Sequence, residues 1–129
     1  MQPKAKSALS GRRVLIVEDE YFLADDLRKI LAEYGAEVLG PVATLGEGLD
    51  IIESDDQIDS AVLDVQLRGK DVFAISAALK SRNIPFVFTT GFGEAKIPTE
   101  YGDVPRFEKP FELEALIVAL EASVDEQLS

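Results

Sequence analysis

The sequence predicts an α/β fold, a doubly wound five-stranded parallel sheet with helices on both faces. Three observations carry that expectation. Short apolar runs alternate with segments of helical periodicity, which is the pattern of βαβ units. The runs are continuous rather than alternating, as expected for strands covered on both faces. Four of the five runs give way at their carboxyl ends to acidic, hydroxyl or basic residues.

Taken in order, residues 1–11 read as a loose, flexible polar tail ahead of one domain spanning 12–129. The first strand is Val14–Val17. Leu23, Leu27, Ile30, Leu31 and Tyr34 then follow helical spacing, with Gly35 as the stop. A second strand covers Ala36–Leu39 and ends at Gly40-Pro41. A short helix over 46–53 leads to the third strand, Ser60–Leu63. Val72–Leu79 forms the next helix, Ile84–Phe88 the fourth strand and Val104–Phe107 a weak fifth. Leu113, Leu116, Ile117, Leu120 and Val124 give the cleanest amphipathic helix. Between Gly91 and Val104 there is no helical stripe, and Pro98 interrupts the segment. The fourth helix is therefore expected to be short or replaced by a loop.

Composition narrows the functional classes. A chain of 129 residues needs only one core. Zero Cys excludes thiolate metal, redox and disulfide chemistry, and zero His excludes histidine bases and an internal phosphohistidine. A net charge of −11 opposes binding to nucleic acid or an anionic membrane and favours cations and basic protein surfaces. No apolar stretch approaches the ~20 residues of a membrane span, so a cytoplasmic protein is expected.

The polar strand ends are the candidate site. Glu18-Asp19-Glu20 closes the first strand, Asp64 the third and Thr90 the fourth, while the fifth runs into Lys109-Pro110. In an open parallel sheet these ends share one edge, and ligands bind there at the topological switch point. In a 2-1-3-4-5 strand order that point lies between the strands carrying Asp19 and Asp64. Two carboxylates ~4 Å apart repel by about 4 kcal/mol at an effective dielectric near 20. A divalent cation relieves this, and Mg²⁺ suits one or two carboxylates with waters and a phosphate. Lys109 offers an ammonium for phosphate oxygens, Thr90 a hydroxyl donor and Asp64 a carboxylate nucleophile. Each residue alone has a plainer reading: helix cap, strand-end hydroxyl or surface lysine. Their order on four strand ends is what points to phosphoryl chemistry.

The motifs VLIVEDE, AVLDVQLRG, FTTG and FEKPF resemble the receiver domain of bacterial two-component response regulators, over residues 12–126. The resemblance implies the flavodoxin-like fold with strand order 2-1-3-4-5. It implies Asp64 as phosphoacceptor, taking its phosphoryl group from a phosphohistidine on a sensor histidine kinase or a phosphotransfer protein. Asp19, Asp64 and the backbone carbonyl of Gln66 would ligate Mg²⁺, with Glu18 acting through water. Thr90 would hydrogen-bond the phosphoryl group, Lys109 would pair with its oxygen, and the Lys109–Pro110 peptide would be cis. Gly91 would leave the approach to the phosphoryl group open, and Phe92 would flank the site.

The departures are specific. Arg106 stands where receivers usually carry a switching Tyr or Phe, and the spacing from Thr90 to Lys109 is short. Both traits resemble the subfamily named for a Phe-Ala-Thr-Gly-x-Tyr motif, of which FTTGFG is an imperfect copy, with Thr89 in place of Ala. That subfamily implies a single-domain regulator, a kinase of the HWE or related type and a stress-response setting. With no output segment after the last helix, a stand-alone regulator is expected, signalling by protein contact or acting as a phosphate shuttle or sink. It would be no enzyme beyond its own phosphorylation and dephosphorylation. The alternatives are a docking module that is never phosphorylated and a haloacid-dehalogenase-type phosphatase. The latter needs an Asp-x-Asp nucleophile motif on the first strand, which Glu18-Asp19-Glu20 lacks.

Overall fold

A computed structural model of the protein describes residues 7–91 and 96–128. Phe92 therefore lies outside the described residues. The elements run β1 (Arg13–Val17), α1 (Tyr21–Glu33), β2 (Glu37–Val42), α2 (Leu45–Ser54), β3 (Ser60–Asp64) and a small hairpin of β4 (Gln66–Leu67) and β5 (Lys70–Asp71). Then follow α3 (Phe73–Ser81), β6 (Phe86–Thr90), a 3₁₀ turn (Thr99–Tyr101), β7 (Arg106–Glu108) and α4 (Leu113–Leu128). The main sheet is parallel in the order β2-β1-β3-β6-β7. Counting its strands along the chain, that is the expected 2-1-3-4-5 arrangement, and the fold is flavodoxin-like.

Successive side chains on a strand face opposite ways, so the central strands feed two cores. Leu15, Val17, Ala61, Leu63, Phe86 and Phe88 pack with Ile52 of α2 and with Ile75 and Leu79 of α3. Val14, Ile16, Val62 and Val87 pack on the other face with Leu27 and Leu31 of α1 and with Leu116, Ile117, Leu120 and Val124 of α4. Burial on both faces explains why the strand runs are apolar without alternation.

Three elements differ from the sequence expectation. The second strand does not stop at Leu39 but continues through a cis Gly40–Pro41 peptide to Val42. Its register against β1 shifts between Leu15 and Val17, and β2 is an edge strand, where proline is tolerated. Gly40 has φ +91°, and a Cβ there would stand 2.8 Å from the Val42 nitrogen and 2.9 Å from the Ile16 oxygen. The β4–β5 hairpin was not foreseen. Its turn places Arg68 and Gly69 at φ 51° and 84°, the left-handed pair a tight hairpin favours.

The third difference is at the N-terminus. Residues 7–11, read as part of a loose tail, form a turn whose Leu9 is fully buried in the α1–α4 core. Ser7 Oγ donates to Glu121 Oε2 of α4 at 2.7 Å. Ala8 and Leu9 are an isolated apolar pair in a polar segment and carry no periodicity, so the sequence could not mark Leu9 as core.

Among the described residues between β6 and β7, the 3₁₀ turn is the helical element. Tyr101, on the 3₁₀ turn, is 3% exposed and meets Phe86 and Phe88 edge-on at 5.9 Å while stacking on Phe73. One aromatic side chain thus covers sheet surface that a helix would otherwise bury. Leu9→Ala should lower unfolding stability by about 2–5 kcal/mol, the range for emptying a fully buried leucine site. Denaturant unfolding checks this, and a loss below about 0.5 kcal/mol, as at a surface position, would return residues 7–11 to tail status.

Candidate functional site

The site forms where β1, β3, β6 and β7 end together. β3 ends on Asp64 and β1 runs into Glu18; Asp64 pairs in register with Thr89 of β6, and Thr90 with Glu108 of β7. One residue later, the Lys109 N–H donates to the Thr90 carbonyl at 2.8 Å, and the Lys109–Pro110 peptide is cis. This fixes the lysine stem beside β6 and aims its ammonium at the acids. Lys109 Nζ donates to Glu18 Oε2 at 3.1 Å, to Asp64 Oδ2 at 3.1 Å and to Glu20 Oε2 at 2.7 Å. Glu18 and Asp64 are each 2% exposed.

The acids are also held by backbone. The Gln66 N–H donates to Asp64 Oδ1 at 3.1 Å, and the Glu20 N–H donates to Glu18 Oε2 at 3.0 Å. The Arg68 N–H donates to Asp19 Oδ2 at 2.9 Å, so the β4–β5 hairpin orients the acid across the switch point. Glu20 occupies the N-cap position of α1 without a side-chain capping bond, its carboxylate being turned to Lys109.

Carboxylate oxygens of Glu18, Asp19 and Asp64 lie within 4.8 Å of one another. Two buried acids and a third beside them, all hard oxygen donors, are the chemistry that Mg²⁺ takes. An open cleft of about 530 Å³ sits over them, lined by Asp19, Glu20, Asp64, Gln66, Gly91 and Lys109 among others. It has room for a phosphoryl group and its waters. Burial, then the neighbouring Glu18 carboxyl, push Asp64 up to about 8, against the pull of Lys109 and the Gln66 N–H. For Lys109, burial pulls downward, but the bond to Glu20 and the Glu18 and Asp64 charges outweigh it, raising the ammonium above the ordinary lysine range.

The structure thus brings Glu18, Asp19, Asp64, Gln66, Thr90, Gly91 and Lys109 to one sheet edge. Thr90 is buried at the end of β6. Arg106 stands apart, exposed on β7 and paired in register with Phe88. Sequence reasoning missed three participants: Glu20 as a partner of Lys109, the Arg68 N–H on Asp19, and Thr89, whose buried hydroxyl donates to Glu18 Oε1 at 3.2 Å. A signal for Thr89 was available. A hydroxyl one residue before the strand end, inside a run buried on both faces, needs a partner.

In the metal-free protein, Asp64 retains a proton on folding between its ordinary value of 3.8 and about 8. The native state then binds more protons than the unfolded state, so this group makes stability fall as pH rises through that window. Denaturant midpoints of the metal-free wild type should decline between about pH 5 and about pH 8 more steeply than those of Asp64→Asn. Parallel profiles would remove the buried-acid reading.

The family model "Response regulator receiver domain" matches residues 14–121. The solution structure of SdrG from Sphingomonas melonis Fr1 is similar at 37% identity and a TM-score of 0.78, over 92% of this chain and 98% of that one. The BeF3-activated conformation of SdrG from Pseudomonas melonis Fr1 is similar at 35% identity and a TM-score of 0.71, over 89% and 97%. The transcriptional regulatory protein PdtaR of Mycobacterium tuberculosis is 31% identical over 117 residues, 88% of this chain. This chain spans 57% of the length of PdtaR. Among the described residues, no helix is long and apolar enough to cross a membrane. With the strand order, the acid cluster and the family match in agreement, the chain belongs to the response regulator receiver domain family.

Proposed function

We propose that the protein is a phosphorylation-dependent receiver whose Asp64 takes a phosphoryl group from a phosphohistidine on a sensor histidine kinase or phosphotransfer protein. The observation that carries this reading is Asp64 itself: a buried carboxylate at the switch point, facing an open cleft and paired with Lys109. An Asp64 oxygen attacks phosphorus, the phosphorus–nitrogen bond breaks, and its electron pair leaves with the donor imidazole, which is protonated. The products are an aspartyl phosphate and a neutral histidine. Lys109 moves from the acids to a phosphoryl oxygen, and the Thr90 hydroxyl donates to another. Asp19, Asp64 and the Gln66 carbonyl would hold Mg²⁺, with Glu18 acting through water, and the ion would neutralise charge on the phosphoryl oxygens.

The output follows from Thr90. As its hydroxyl is drawn toward Asp64, the carboxyl end of β6 at Thr90 and Gly91 shifts and biases a partner surface. Arg106 is exposed, so this switch works without the buried rotating aromatic of other receivers. The near-complete coverage of the SdrG chain, one form of which is BeF3-activated, supports a regulator built of a single receiver. The Phe-Ala-Thr-Gly-x-Tyr resemblance supports an HWE-type kinase and a stress-response setting.

The wild type incubated with Mg²⁺ and a small phosphodonor should take up phosphate, and Asp64→Asn should take up none, as read by intact mass. Label retained at full stoichiometry in Asp64→Asn would overturn the assignment. Beryllofluoride should shift the amide spectrum around Thr90 and Gly91 only when Mg²⁺ is present.

A further inference from the structure

The Thr89 hydroxyl belongs to neither the metal-ligand set nor the phosphoryl contacts, yet it is built into the site. Thr89 is fully buried, and its Oγ1 donates to Glu18 Oε1 at 3.2 Å. A threonine hydroxyl has one proton to donate, and here it is spent on a carboxylate whose own side chain is 0% exposed. The other oxygen, Glu18 Oε2, accepts from Lys109 Nζ and from the Glu20 N–H. Glu18 is therefore held through both oxygens, and Thr89 is the side-chain donor on Oε1.

The sheet explains the reach. Thr89 pairs with Asp64, and Val17 pairs with Leu63, so Glu18, Asp64 and Thr89 fall in one row across the three central strands, on one face. Thr89 is itself fixed by the β6 ladder, where its carbonyl accepts from the Val65 N–H at 2.9 Å. Lys109 is the less permanent partner. Its ammonium is shared among three acids, and in the phosphoacceptor reading it leaves them for a phosphoryl oxygen. The donors that remain on Glu18 are then Thr89 and one backbone N–H.

We infer that Thr89 is a positioning residue for the cation site: its hydroxyl orients the Glu18 carboxylate so that the acid keeps its place while Lys109 changes partner. The inference rests on the phosphoacceptor reading. Groups behind metal-site acids fix orientation, and losing one typically costs 10–100-fold in metal affinity. Because Glu18 acts through water, the effect of Thr89 lies at the low end.

The test compares wild type, Thr89→Val and Thr89→Ser. Mg²⁺ binding is measured by amide shifts, and phosphate uptake from a small phosphodonor is followed as Mg²⁺ is varied. Thr89→Val keeps the shape and removes the donor; it should weaken Mg²⁺ binding roughly tenfold. The Mg²⁺ concentration for half-maximal uptake should rise by the same factor. Thr89→Ser, which keeps the hydroxyl, should recover most of the affinity. If Thr89→Val does not fold, Thr89→Ala takes its place in the comparison. Wild-type affinity in the variant without a hydroxyl would overturn the inference, as would equal weakening in the serine variant, which would assign the effect to packing. Failure of the wild type itself to bind Mg²⁺ or take up phosphate would overturn the phosphoacceptor reading and this inference together.

Discussion

One ammonium holds the sheet edge together. Lys109 Nζ bridges Glu18, Asp64 and Glu20, two of them almost wholly removed from water. Burying a carboxylate costs several kcal/mol unless it is paired and hydrogen-bonded. Here two sit side by side, so their mutual repulsion adds to that cost. The structure meets it in two ways. Lys109 supplies positive charge, and backbone N–H groups of Glu20 and Gln66 supply fixed donors. Burial and the neighbouring Glu18 carboxyl still hold Asp64 above the usual carboxylate range, so these donors do not fully offset the acids. An oxygen cluster left partly unneutralised favours cation binding, and the same lysine is within reach of an arriving phosphoryl group. Structural pairing and phosphoryl chemistry use one set of atoms.

The positions of these atoms depend on register more than on any single loop. Lys109 meets Asp64 because its backbone continues the β6–β7 ladder one residue past Glu108, donating to Thr90. Behind it, the rings of Phe107 and Phe111 meet at 5.7 Å, anchoring the turn into α4. At the other side, the Arg68–Gly69 turn of the β4–β5 hairpin directs an N–H at Asp19. Arg68 is a non-glycine residue in the left-handed region, a conformation that needs support from its surroundings. Support comes from the hairpin pairing of Gln66 with Asp71 and from the bond to Asp19.

Among the described residues between β6 and β7, one aromatic side chain on a 3₁₀ turn does most of the covering. Tyr101 fills the space over Phe86 and Phe88, stacks on Phe73 and lies beneath Lys80 at 5.4 Å. Held by three other rings, Tyr101 buries apolar sheet surface there. Its neighbours Ile97 and Val104 close the margin of the same core. In the sequence residues 96–105 read as irregular because their burial comes from isolated side chains, Ile97, Tyr101 and Val104, not from a periodic face.

The architecture and the main acids were readable from the chain alone. Continuous apolar runs reveal strands buried on both faces, and residues that end those runs must meet at one edge of a parallel sheet. Glu18, Asp19, Asp64, Thr90 and Lys109 were legible for that reason. Features that depend on register or on a lone side chain emerged only once the strands were packed. Leu9 becomes core because a turn delivers it there. β2 continues through Gly40-Pro41 because an edge strand does not need that missing N–H. Thr89 reaches Glu18 because β3 lines them up in one row, and Glu20 turns to Lys109 rather than capping α1. Periodicity records which face a residue occupies; it does not record which residue on another strand stands beside it.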